Sequence, residues 1–335
     1  AAQQDQQKAR QYIGVVVGVV GRTDPKGRSN GLLPHQAGHL AEGRGERHDQ
    51  GNAPEGLRHP VGTWTLGVER QYGWHTPSQP SRAAMATPVL SLGPLVEGTL
   101  VKRYKRFLAD VELDNGDLVT AHCPNTGPMT GVLHPGGRVR LRHAPSPTRK
   151  LAWTWEQAQV LGAHGELLWV GINTALPNTL VRATIEAGCL EPWLGPIGAI
   201  KPEVPYGEGR RSRIDLLLTP GEGAIDPRPI YLEVKNTTWT QGDLALFPDT
   251  VTERGQKHLV ELKALLPEAR AVLVPCLSRA DVSRFAPGDS ADPRYGDLFR
   301  EALEAGVEVL PCTYAFSETS VSWLGLAQVE ARGPA

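Results

Sequence analysis

Residues 212–218 read SRIDLLL and residues 229–235 read PIYLEVK, two short aliphatic runs that each carry an acid where a core strand should be apolar. Alternate residues of a strand share a face. Tyr231, Glu233 and Lys235 therefore stand together, with Leu232 and Val234 turned to the other side. A charged face on an otherwise apolar strand is costly unless its groups are paired or bind a metal. If the two strands pair, Asp215 and Glu233 converge as oxygen ligands for a hard divalent cation such as Mg²⁺, which keeps several of its waters. Lys235 is then placed to orient or polarise an attacking water, or to stabilise charge developing on a phosphate. This is the set that metal-assisted phosphodiester hydrolysis needs. A buried ion pair, or an acid–lysine pair exposed at a sheet edge, accounts for the same letters. Glu261, Leu262 and Lys263 repeat the spelling, but in a helical context, where positions two apart do not share a face.

Downstream, residues 250–253 read TVTE, a capping box, followed by Leu259, Leu262 and Leu266 at helical spacing and a stop at Pro267. Residues 271–277 and 307–314 read as strands, and residues 294–305 as a helix that Gly306 ends. Residues 181–186 look helical and precede the acid-bearing strands. Strands alternating with helices predict an α/β domain with a mixed central sheet and parallel crossovers. Upstream the pattern differs. LVEGTLVKRYKRFLADVEL from Leu95 reads as strand, followed by a turn at residues 114–117 and then LVTAHCP, GVLHPGG and RVRLRHA. Short strands, tight turns and no helix predict a small β-barrel. The chain thus combines α+β and α/β character in two domains, expected at 85–160 and 161–330.

Charge separates these parts. The whole chain has 35 Lys+Arg against 36 Asp+Glu, a formal charge of −1, which excludes a polycation of histone or ribosomal type. Between residues 100 and 150, however, nine basic residues face four acids, and from residue 151 onward 16 face 24. A nucleic-acid surface must be local, and the barrel is where it is expected. Arg138, Arg140 and Arg142 alternate with Val139 and Leu141, which predicts a row of cations on one face. Lys102, Arg103, Lys105 and Arg106 enclose Tyr104 and border Phe107, the mixture of cations and rings found where phosphates and bases are held together. A solvated strand face with both rings in the core fits the same letters. Neither row reads base sequence.

Residues 1–84 hold five of the ten histidines and 13 glycines but 17 Val/Ile/Leu/Met/Phe/Tyr/Trp residues without period. Such a segment buries little core. Two readings stand, a disordered extension or upstream sequence translated ahead of a start at Met85. The longest apolar run, residues 13–20, is far short of the roughly 18–20 residues of a membrane span. Cys123, Cys189, Cys276 and Cys312 form no CxxC pair and no disulfide framework, so free thiols in a reducing cytoplasm are expected. GxGxxG and GxxxxGK[ST] phosphate loops are absent, as is a helix-turn-helix signature.

From about Leu95 to Leu324 the chain resembles the sugar fermentation stimulation protein A (SfsA) family, through VKRYKRFLADV, HCPNTGPMTG, SRIDLLL, YLEVKNTT and FPDTVTERGQKHL. The resemblance implies an N-terminal OB-like barrel joined to a domain like the PD-(D/E)xK nucleases, with DNA as partner and a link to the regulation of sugar, notably maltose, utilisation. It implies that Asp215, Glu233 and Lys235 match the nuclease-like motif, and that Gln256 is the polar residue facing the active site from the following helix. Residues 1–84 lie outside it. Two functions follow: a DNA-binding protein, or a Mg²⁺- or Mn²⁺-dependent nuclease. Asn125, in the loop after Cys123 and Pro124, suits either phosphate contact or an Asx turn. Cys123 reads as a buried thiol and His258 as structural or solvated. Trp153 and Trp155 read as packing residues, while Glu203 could approach the metal from the segment before the sheet. Oligomeric state is left open, a homodimer among the outcomes.

Overall fold

The structure, a computed structural model, describes residues 86–334. The expectations for residues 1–84 and for Met85 lie outside the described residues. The first seven strands are β1 (Thr87–Ser91), β2 (Leu95–Tyr104), β3 (Leu108–Leu113), β4 (Leu118–His122), β5 (Arg138–His143), β6 (Trp153–Leu161) and β7 (Leu167–Gly171). Helices α1 (Pro177–Glu186) and α2 (Glu191–Leu194) lead into β8 (Ile197–Tyr206), β9 (Ser212–Pro220) and β10 (Ile230–Thr237). Then come β11 (Thr240–Gln241), β12 (Leu244–Phe247), α3 (Glu253–Ala264), β13 (Arg270–Leu277), β14 (Arg284–Pro287) and α4 (Pro293–Ala305). The last strands are β15 (Glu308–Val309), β16 (Cys312–Phe316), β17 (Ser320–Leu326) and β18 (Gln328–Val329).

The barrel region is one sheet in the order β4-β3-β2-β5-β6-β7, and β4 also pairs with β6 in parallel over two residue pairs, Ala121↔Trp153 and His122↔Thr154. Its interior is filled by Leu100, Val111, Leu141 and Trp155, all essentially inaccessible. One run expected as continuous strand is folded back on itself. Residues 105–107 form a turn between β2 and β3, with Lys105 and Arg106 at φ of 49° and 68°. Non-glycine residues take that conformation only when held, and here Arg103 Nε donates to the Arg106 carbonyl at 3.0 Å.

The second domain is built on an eight-stranded mixed sheet, β1-β17-β16-β13-β10-β9-β8, with β15 beside β13. β10, β13 and β16 run parallel, while β8, β9 and β17 are antiparallel to their neighbours. Leu180 and Val181 of α1 pack with Leu216, Leu232 and Val274 on one face. Leu259 and Leu262 of α3 and Leu298 and Phe299 of α4 pack with Ile214, Ala271 and Leu273 on the other. The result is helix, sheet, helix in three layers. A second small sheet, β11-β12-β14-β18, extends it.

The expected boundary between residues 160 and 161 needs correction. It falls inside β6, and β7 still belongs to the barrel sheet, whereas β1 pairs with β17 at the edge of the other sheet. The barrel is therefore an excursion between the first strand of the C-terminal sheet and the rest of it. The join is tight: a Cβ added at Gly171 would lie 2.2 Å from the Phe316 ring, so only glycine fits. Gln157 Nε2 donates to the Ser317 carbonyl at 2.8 Å, and Ala163 N–H donates to Asp281 Oδ2 at 3.0 Å.

Asp281 also receives Arg279 Nε and Nη2 at 2.7 and 2.6 Å, both side chains being buried, while Arg279 Nη1 donates to the Thr238 carbonyl. Burial alone would raise the Asp281 carboxyl; the Arg279 guanidinium outweighs it and holds the group below its ordinary value. A depressed carboxyl stabilises the fold above the unfolded-state pKa, and that stability is lost as pH falls. Asp281→Asn leaves a buried guanidinium uncompensated, and a loss of ~3 kcal/mol is expected at neutral pH. The gap to wild type should narrow in urea titrations taken toward acid; a gap independent of pH would show that the pair does not carry the effect.

Candidate functional site

β9 and β10 are registered through Ile230↔Leu218, Tyr231↔Leu217 and Leu232↔Leu216, and there the ladder stops. The next pair would have been Glu233 with Asp215. Instead the strands part, and the Asp215 carboxylate enters the fork: Oδ2 accepts the Val234 N–H at 2.8 Å. That amide, which β9 no longer serves, is thereby satisfied. Oδ1 accepts Asn178 Nδ2 at 2.8 Å, from the start of α1. The fork keeps Asp215 next to Glu233 without seating it in the ladder.

Glu233 is buried on the α3 side of the sheet, with Lys235 two residues on. Lys235 Nζ donates to Glu233 Oε1 at 2.5 Å, and His258 Nδ1, from α3, meets the same oxygen in a very short contact. Lys235 Nζ also lies 3.0 Å from His258 Nδ1. Nδ1 carries its proton when it donates to Glu233 and lacks it when it accepts from Lys235, so the two contacts use different tautomers. On the other side of the ring Arg254 Nε lies 3.4 Å from His258 Nε2. Glu233 Oε2 is buried and has no hydrogen-bond partner among the described residues.

The electrostatics split the two acids. Burial pushes the Asp215 carboxyl up, and the Glu233 charge beside it adds to the rise, against the donors Val234 and Asn178. For Glu233 burial also works upward, but the hydrogen bond from His258 and the Lys235 charge prevail and hold it down. Two carboxylates side by side, one with an orphaned buried oxygen, fit a hard cation that retains water ligands. Among the described residues no group of three or more His, Cys, Asp or Glu side chains is poised as a complete protein-ligand cage.

Gln256 is placed elsewhere than expected. Its Nε2 donates to Asp292 at 2.9 and 3.1 Å, and Asp292 caps α4 by accepting Tyr295 N–H while also accepting Thr252 N–H. Gln256 thus ties the N-termini of α3 and α4 together. Two positions on a helix are ~200° apart around its axis, so the face that delivers His258 to Glu233 cannot deliver Gln256. Glu203 stands level with Asp215 in the β8–β9 ladder, between Pro202↔Leu216 and Val204↔Ile214, but is exposed and at φ 53°.

In the barrel, Arg138, Arg140 and Arg142 share a face but not an open one. Arg138 pairs with Glu97 and Asp114, Arg140 with Glu97 and over the Trp169 ring at 3.9 Å, and Arg142 with Glu156. The cationic row expected there is neutralised, because β2 and β6 bring acids alongside β5. Lys102 is likewise 3.5 Å from Asp110. Five cations of the 100–150 segment have no carboxylate partner among the described residues: Arg103, Lys105, Arg106, Arg149 and Lys150. Arg103 donates to the Asn125 and Gly127 carbonyls and Arg106 to that of Thr126, holding the loop. Arg149 reaches Ala144 O and Thr154 Oγ1. Asn125 makes the Asx turn, its Oδ1 accepting Gly127 N–H at 2.9 Å, and is buried. Cys123 is buried and its thiol pushed up by that burial; all four cysteines are free. Trp155 is in the core, and the Trp153 ring packs against that of His143, tilted by 33° with centroids 4.3 Å apart. Phe107 is 45% exposed, outside the core.

Two residues of the acid site were not read from the sequence as part of it. His258 lies in the FPDTVTERGQKHL run, and helical phase with Leu259 and Leu262 could have assigned it to the buried face. Asn178 had no signal beyond its place behind Pro177. No helix among the described residues is long and apolar enough to cross a membrane.

Comparison with known proteins matches two family models. Residues 101–172 match the SfsA N-terminal OB domain, and residues 175–320 the sugar fermentation stimulation protein RE domain. A sugar fermentation stimulation protein homolog of Synechococcus sp. (strain WH7803) is 71% identical over 248 residues, 74% of this chain and 97% of the relative. Another, from Synechococcus sp. (strain CC9902), is 74% identical over 239 residues, 71% of this chain and 96% of that one. Among solved structures, that of Pyrococcus furiosus SfsA in complex with Ca²⁺ has a TM-score of 0.63 at 28% identity, covering 73% of this chain and 100% of its own.

The raised Asp215 carboxyl makes a stability test of the fork. A raised group stabilises the fold below its unfolded-state pKa and loses that contribution as pH rises. Asn at 215 can still accept the Val234 N–H, and Asn178 can turn its amide to match. Asp215→Asn is therefore expected to match wild type near pH 4 and to exceed it at pH 8 by on the order of 1 kcal/mol. A variant melting below wild type at pH 8 would show that the charge itself is needed for folding.

Proposed function

Since the chain belongs to the sugar fermentation stimulation protein family, we propose that it is a DNA-binding protein whose barrel holds the phosphate backbone, with any role in sugar utilisation exerted through that contact. The observation that carries this is the sorting of barrel charge. Four cations are consumed by acids, and the five left without carboxylates belong to the hairpin around residues 103–106 and the strand connection around 149–150. Unpaired cations gathered this way release counterions when they meet phosphates, the dominant source of non-specific affinity. Contacts to phosphates carry no base information, so affinity for many sequences is expected.

A second reading rests on the fork. Asp215, Glu233 and Lys235 together support a PD-(D/E)xK-like hydrolase acting on phosphodiesters. A divalent ion, Mg²⁺ or Mn²⁺, would be held by Asp215 and by Glu233 Oε2 and would supply Lewis-acid polarisation of a phosphate oxygen. The Ca²⁺ complex of the Pyrococcus relative supports a divalent ion in this family. Lys235 would leave Glu233 Oε1 to approach the scissile phosphate, while His258 keeps Glu233 oriented and charged. Asn178 and the Val234 amide fix Asp215.

Fluorescence anisotropy with duplex DNA tests the first reading. Changing Lys105, Arg149 and Lys150 together to Gln should weaken binding about tenfold or more and flatten the dependence of log K on log salt by roughly 2–3. Arg138→Gln should leave the slope unchanged; equal loss from Arg138 would move the contact surface. The second reading predicts cleavage with Mg²⁺ or Mn²⁺ that chelator and Glu233→Ala both abolish.

A further inference from the structure

The hairpin turn presents its phenylalanine in an unusual setting. Phe107 is 45% exposed and borders a groove of about 600 Å³ whose lining includes Lys105, His122, Arg149, Lys150 and Leu151. An exposed aromatic ring loses the stabilisation that burial would give, and nothing in the hairpin requires it, because the turn is closed by backbone bonds and by Arg103. The backbone that carries the ring is fixed: the Phe107 carbonyl accepts the Cys123 N–H at 2.8 Å, which ties the turn to the end of β4. Lys105 and Lys150 make no hydrogen bond or ion pair among the described residues, and Arg149 bonds only neutral oxygens. The groove therefore joins a half-exposed ring on a fixed backbone, an apolar strip from Leu151, and three cations without carboxylate partners among the described residues.

We propose that this groove binds single-stranded polynucleotide, with an unpaired base stacked on Phe107 and its flanking phosphates on Lys105, Arg149 and Lys150. The inference rests on the DNA-binding reading and adds to it the strandedness of the ligand. In a duplex both faces of each base are covered by neighbours, so a ring beside the phosphates has no base face to meet. Only an unpaired base offers one. Stacking of this kind tolerates any base, and cations around the ring match the phosphate spacing without reading sequence. An acidic peptide would use the cations but leave the ring idle.

The test uses the full chain and labelled oligothymidylate of roughly 12 nucleotides, beside an abasic strand with the same phosphates, a duplex of equal length, and oligouridylate. Oligothymidylate is expected to bind about tenfold more tightly than the abasic strand. Phe107→Ala should erase that difference while leaving the duplex and abasic affinities unchanged, and Phe107→Trp should preserve it. Because Phe107 is exposed, neither variant disturbs the core, which circular dichroism checks. Equal binding of thymidylate and abasic strands, or an equal effect of Phe107→Ala on duplex and single strand, overturns the stacking site while leaving DNA binding intact. No binding of any oligonucleotide overturns the underlying reading instead. Base-dependent binding of both thymidylate and uridylate assigns the site to polynucleotides in general, and of thymidylate alone to DNA.

Discussion

The hydrogen bond from the Val234 amide to Asp215 is the constraint on which the acid site depends. A strand that leaves its neighbour must find new partners for the amides it abandons, and a carboxylate is a strong acceptor for one of them. By accepting that amide, Asp215 turns a defect in the sheet into a fixed point beside Glu233. The backbone is satisfied by a group whose charge burial disfavours, and Asn178 shares the load. The fold therefore tolerates a raised carboxyl at the place where two acids must stand side by side. Glu233 meets the opposite circumstances a residue away, where His258 and Lys235 keep it ionised.

The barrel manages its charge by a parallel logic. Each strand that adds arginines is laid against one that adds acids, so Arg138, Arg140 and Arg142 serve the packing of β2, β5 and β6. Electropositivity survives where the chain turns, because turns have fewer neighbours to supply acids. A composition count places the surplus in the right segment but cannot say which cations remain.

Much of the second domain was legible. SRIDLLL, PIYLEVK and TVTE each carried a local signal strong enough to place a strand or a helix start, although the cap of α3 is Thr252, which accepts Gly255 N–H, and not Thr250 as the capping box predicts. What failed depended on three-dimensional neighbours. The hairpin at residues 105–107 has no Gly, Asn or Asp to announce it, since Arg103 holds it from outside. Arg140 meets Glu97 from 43 residues away. The family pattern points to Gln256, whereas helical phase with Leu259 and Leu262 puts His258 on the face toward Glu233. The short strands of the β11-β12-β14-β18 sheet are too brief for periodicity to register.

The pairing of β1 with β17 has a consequence for the order in which the protein can be made. The strands of the barrel sheet are contiguous in the chain, so all of them are present once residue 171 has been synthesised. β1 emerges before the barrel, yet its partner is synthesised more than 200 residues later. Until then its hydrogen-bonding edge has nothing of its own to pair with, a separation that slows folding and leaves strand edges open to other chains. Assembly of the larger sheet is thus the late step of biogenesis, because its first strand waits for one of the last.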